Sequence, residues 1–154
     1  MDNMEHVFDS LSKGRVLMLK LIDGLSIEQI NTIPKRSKNN IAWNIAHLVV
    51  TQQLLCYKLS GLPCLVSDEM IDLYRKGTVP TRDVTKDEFG EIKEFFLSLP
   101  LRFEEDYKKS LFENYSEYKT SVNVTLTNIK SAATFNLFHE GIHLGAILGL
   151  RKLV

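Results

Sequence analysis

The sequence is short of the residues that stiffen or staple a chain. Two cysteines, Cys56 and Cys64, are its whole supply. That excludes a disulfide scaffold, and a chain of 154 residues buries enough apolar area without one. Both read as reduced thiols. Proline (four) and glycine (eight) are scarce. There is no internal repeat and no low-complexity tract. Charge of one sign is lacking too, since 19 Lys plus Arg balance 19 Asp plus Glu. A protein that grips nucleic acid through phosphates carries a basic excess, so neither nucleic acid nor an anionic membrane is an expected partner. No apolar run approaches the ~20 residues that span a bilayer. The N-terminus lacks the basic stretch and apolar core of a signal peptide. The expectation is a soluble, cytoplasmic protein of one domain over residues 1–154.

What the chain does have is helical periodicity. Met4, Phe8, Leu11, Met18, Ile22 and Leu25 mark a first helix over about residues 4–25, with Gly14 in its middle. A second runs over about 41–60, capped by Asn39 or Asn40 and stopped by Gly61. Its stripe is Trp43, His47, Val50 and Leu54. Residues 61–85 have weak periodicity and read as a long crossover at the end of a bundle. Thr85 and Glu88 form a capping-box pattern that opens a third helix. Its stripe is Phe89, Ile92, Phe96, Leu99, Phe103 and Tyr107, and Pro100 is expected to kink or split it. Residues 121–126 alternate apolar and polar, which predicts a short extended segment. A fourth helix follows over about 128–151, with Thr127 as its N-cap. Four amphipathic helices with long connections predict an all-α fold, a four-helix bundle.

Four histidines are present, and three fall on core stripes. His139 and His143 are one turn apart on the last helix, so both lie on one face. Ala132, Asn136, Ala146, Ile147 and Leu150 continue that face, which reads as the core side. His47 lies on the core stripe of the second helix. His6, near the terminus, reads as a surface residue. A lone histidine on an apolar face is usually a core residue with one hydrogen-bond partner. Three together are costly, because each unsatisfied buried polar group costs about 1–3 kcal/mol. A divalent metal resolves that cost by taking the imidazole lone pairs. Spacing and phase leave core histidines and metal ligands both open.

His139-Glu140-Gly-Ile-His143 also matches H-E-x-x-H, in which Glu140 would be the general base of a zinc protease. Such proteases take a third ligand downstream, and none of the eleven residues after His143 is His, Asp or Glu. The wider layout points elsewhere. Asn40-Ile-Ala-Trp-Asn-Ile-Ala-His47 on one helix and Phe138-His139-Glu-Gly-Ile-His143-Leu-Gly145 through Leu150-Arg151 on the last resemble the DinB/YfiT-like superfamily of small bacterial four-helix bundles. The resemblance covers essentially the whole chain. It implies His47, His139 and His143 as ligands of a divalent ion, usually zinc or nickel, with water in the open positions. A homodimer is implied as well. Leu144 and Ala146 stand where members of that family often carry Arg and Gln.

The resemblance further implies a metal-dependent enzyme on a small molecule, either a transferase using a low-molecular-weight thiol or a hydrolase. A His₃ ion activates water or holds a thiolate. A non-catalytic metal-binding or stress-response module is the alternative, and a metal-free structural bundle is the other. Glu140 is a candidate base, or else a salt-bridging residue. Asn136, one turn before His139, is a candidate partner of a ligand or substrate, or else a buried asparagine bonded to a neighbour. Trp43 reads as core filler. Cys56 and Cys64 have no neighbouring base to activate them. Leu137, Gly141, Leu144, Gly145 and Leu148 form a second apolar face, expected to pack on a second copy or under the crossover.

Overall fold

Apolar stripes at helical spacing dominate the chain, and the computed structural model, which describes residues 3–154, is correspondingly helical. Four long helices are present: α1 (Asn3–Ile22), α3 (Ile41–Gln52), α5 (Lys86–Lys108) and α6 (Ile129–Arg151). Two short ones, α2 (Ile27–Asn31) and α4 (Asp68–Tyr74), lie in the connections. Helix α1 packs against α5 and α6, and α3 packs against the same two. Among the described residues no helix is long and apolar enough to cross a membrane.

Several boundaries differ from expectation, each for a local reason. Helix α1 ends at Ile22, and Gly24 turns the chain at φ 82°, a conformation that costs glycine little. Beyond Gln52, α3 loosens into a π-helical turn over Gln53–Tyr57 and then a 3₁₀ turn over Lys58–Ser60. Residues 61–85 hold α4, capped by Ser67, which accepts from the Met70 N–H. Residues 118–126 form a two-strand hairpin, β1 (Tyr118–Lys119) against β2 (Thr125–Leu126). The N-cap of α6 is Asn128, not Thr127: the Asn128 side chain accepts from the Ser131 N–H. Of Asn39 and Asn40 it is Asn40 that caps α3, and the Thr85–Glu88 capping box stands as expected.

Pro100 does not split α5, which runs unbroken across it. A proline has no N–H, so the carbonyl four residues back, that of Phe96, loses its helical donor. Arg15 replaces it, donating from Nη1 to Phe96 O at 3.0 Å. The same guanidinium donates to both oxygens of Glu140 and to the carbonyl of Leu48, and lies 4.6 Å above the Phe96 ring. Arg15 is 0% exposed.

This polar group divides the core. One apolar cluster gathers Met18, Ile22, Ile45, Leu48, Phe96 and Ile147. The other gathers Phe8, Leu11, Leu55, Phe103, Leu126 and Ala132. Between them in sequence, on α1, α3 and α6, fall the buried Arg15, Gln52, Asn136 and Glu140. Removing one partner of a buried ion pair strands the other, which costs about 3–5 kcal/mol. Arg15→Met is therefore expected to lose about that much in urea unfolding, and Arg15→Met with Glu140→Leu to recover part of it. A single-variant loss below about 0.5 kcal/mol would show the pair to be unimportant.

Candidate metal centre

Helical phase brings the three histidines to one place. His47 faces α6 from α3, and His139 and His143 meet it from successive turns of α6. One ring nitrogen from each lies within 4.8 Å of the other two, the arrangement of a metal-binding cluster. His139 and His143 are half-buried at the edge of the core face of α6, not at its centre. The centre is held by Asn136, Glu140, Ile147 and Leu150, while Ala146 is exposed.

Hydrogen bonds fix two of the rings. His47 Nδ1 lies 2.7 Å from the carbonyl of Tyr74, at the end of α4. A carbonyl only accepts, so Nδ1 carries the proton and Nε2 keeps its lone pair. His143 Nδ1 lies 2.7 Å from Asn44 Oδ1. The Asn44 amide is oriented in turn, because its Nδ2 donates to Asn39 Oδ1 and Asn40 O. His143 is thereby also an Nδ1–H tautomer with a free Nε2 lone pair. His139 Nδ1 is buried and has no hydrogen-bond partner among the described residues. Trp43 lies flat on His47, with centroids 4.5 Å apart and planes 11° apart, and its indole N–H donates to Thr78.

All three rings are held neutral. Burial lowers the His47 pKa, against the opposing pull of the Tyr74 carbonyl. Burial, then the neighbouring His143 and His47, pushes His139 down to about 3. Burial and then His47 push His143 down to about 4. Neutral imidazoles with inward lone pairs and one orphaned ring nitrogen are a donor set that fits a divalent first-row ion.

A family model described as the DinB superfamily matches residues 10–147. The chain belongs to the DinB superfamily. The curated proteins include no match to it.

Around the cluster of this DinB-superfamily chain is a cavity of about 500 Å³, walled by α3 with its π turn, the loop after α4, the hairpin and α6. Trp43 is one of its walls as well as a packing residue. The other candidates lie off it. Glu140 is 2% exposed and its carboxylate is held by Arg15, with 2.7 Å from Nη2 to Oε1. One residue along a helix is ~100° of rotation, which turns Glu140 into the core while His139 faces the cavity. A protease-type base would need the opposite orientation. Asn136 donates to Glu140 at 3.3 Å and does not line the cavity. Cys56 is fully buried, and burial raises its thiol pKa far above the ordinary range. Cys64 is half-exposed, its pKa raised chiefly by burial.

Sequence reasoning missed Arg15, Asn44 and Tyr74. Arg15 leaves a trace, as it fills the gap between Leu11 and Met18 in the α1 stripe. Asn44 is one turn before Leu48 and next to Trp43, so its phase towards α6 is readable in retrospect. Tyr74 contributes a backbone atom and has no sequence signature. Partners that orient metal-binding histidines typically contribute about 10–100-fold to metal affinity. Asn44→Ala is expected to weaken zinc binding by about that factor in a chelator competition assay; unchanged affinity would remove Asn44 from the site.

Proposed function

We propose that this protein is a metal-dependent enzyme that holds a divalent ion, zinc or nickel, on His47, His139 and His143. The substrate is a small molecule, and transfer to or from the sulfur of a low-molecular-weight thiol is preferred over hydrolysis. The observation that carries the reading is the convergence of three neutral imidazoles, two with their Nδ1 protons committed elsewhere. Such an ion lowers the pKa of water or of a thiol and so supplies a nucleophile at neutral pH. The chain does the rest. Trp43, Leu54 and Phe135 give the cavity apolar walls that exclude water. Thr51, whose hydroxyl lies 3.3 Å from His47 Nε2 and donates to it, would give up that bond when the lone pair is taken by an ion, leaving the hydroxyl to a ligand in the cavity. Glu140 and Arg15 act as positioning residues behind the cluster. The four long helices are read as the bundle that carries the site, in a cytoplasmic protein of one domain.

Elemental analysis of wild type beside His143→Ala tests the site, and a thiol-conjugate screen before and after chelation tests the chemistry. About one ion per chain in the wild type and little in the variant is expected, with turnover that chelation abolishes. No metal after reconstitution returns the histidines to core packing. Metal without turnover favours a binding module.

A homodimer is part of the same reading. Leu137 and Leu144 of the expected second face pack into the core, but Gly141, Gly145 and Leu148 are exposed. Phe138 and Ile142, 57% and 52% exposed, extend that strip along α6. Open space faces Gly141 and Gly145, so a second helix can approach closely. Sedimentation is expected to give a dimer at micromolar concentration and a monomer for Gly145→Arg. A monomeric wild type refutes it.

A further inference from the structure

The charges around the cavity are all of one sign. Lys58, just after the π turn, and Lys76, in the loop after α4, both line it. No aspartate or glutamate among the described residues does. Neither lysine makes an ion pair among the described residues. A divalent ion on the three imidazoles would add two further positive charges. Elsewhere the chain pairs its charges freely, as Arg82 does with Glu88, Lys108 with Glu104 and Lys13 with Asp9. The chain as a whole is neutral, so the excess at the cavity is local.

Like charges converging on one concave surface repel each other and attract anions. The same cavity is lined by the apolar Leu54, Leu55, Leu59 and Phe135, with the hydroxyls of Thr51, Tyr118, Thr120 and Ser121 beside them. We propose that Lys58 and Lys76 are specificity residues for the anionic end of the substrate. The ligand is then a small anion with an apolar middle, its reactive group at the histidines and its negative end at the lysines. This rests on the thiol reading above, which makes the reactive group a sulfur.

Cobalt-substituted protein gives a direct test, because sulfur-to-cobalt charge-transfer absorption reports thiol binding without turnover. The probes are mercaptohexanoate and mercaptohexanol, matched in length and differing in charge. Exposed ion pairs contribute up to about 1 kcal/mol each, so the wild type should prefer the carboxylate by about five- to tenfold. Added sodium chloride should shrink that preference by screening. Lys58→Gln with Lys76→Gln should abolish it, leaving mercaptohexanol affinity and cobalt content unchanged. Equal affinity in the wild type, or a preference that survives both substitutions, overturns the proposal. If neither thiol binds cobalt-loaded protein, the thiol reading fails. Hexanoate against hexanol by calorimetry then decides the lysines alone: a preference for hexanoate lost in the double variant upholds them, and equal binding removes them.

Discussion

One side chain touches all four long helices. Arg15 of α1 meets Leu48 of α3, Phe96 of α5 and Glu140 of α6 in a space that excludes water. A guanidinium can do this because its donors form a rigid planar fork. Two of its acceptors are obligatory. Glu140 is a buried carboxylate that needs a cation, and the Phe96 carbonyl lost its helical donor to Pro100. The three oddities of the core, a buried arginine, a buried glutamate and a proline inside a helix, are therefore one feature. Each would be unfavourable without the other two.

The histidine cluster sits against that feature. Leu48 follows His47 in α3, and Glu140 follows His139 in α6. Arg15 thus holds backbone or side chain next to a histidine on both helices, which fixes the distance between them. Apolar packing alone tolerates small slides of one helix along another, whereas directional hydrogen bonds do not. On the outer side, Tyr74 and Asn44 set the two ring tautomers. Rigid elements therefore bound the cluster on both sides, as a site needs if its geometry is to be held within a fraction of an ångström.

How far this could be read from the sequence depends on what each residue contributes. The long helices were legible because Phe8, Leu11, Val50, Phe96 and Ile147 bury apolar surface at a regular period. The caps at Asn40 and Thr85 were legible because they follow from side-chain chemistry one turn away. Helix α4 was not, since it is seven residues long and buries none of them fully. The bond from its end to His47 uses a backbone carbonyl, which any residue supplies. Arg15 was hidden for a different reason: a single charged residue in an apolar stripe is normally read as the edge of that stripe. The H-E-x-x-H pattern drew Glu140 towards the histidines by adjacency, while the phase of the helix turns it into the core. Convergence of His47 with the α6 pair was visible in phase, but its tautomers were not.

In the proposed function three imidazoles, and no other protein side chain, hold one ion. X-ray absorption at the zinc edge of the zinc-loaded protein tests it most directly. Three imidazole nitrogens at about 2.0 Å are expected, with light-atom scattering from non-protein ligands and no sulfur from Cys56 or Cys64. A sulfur shell near about 2.3 Å, or fewer than three imidazoles, would contradict it.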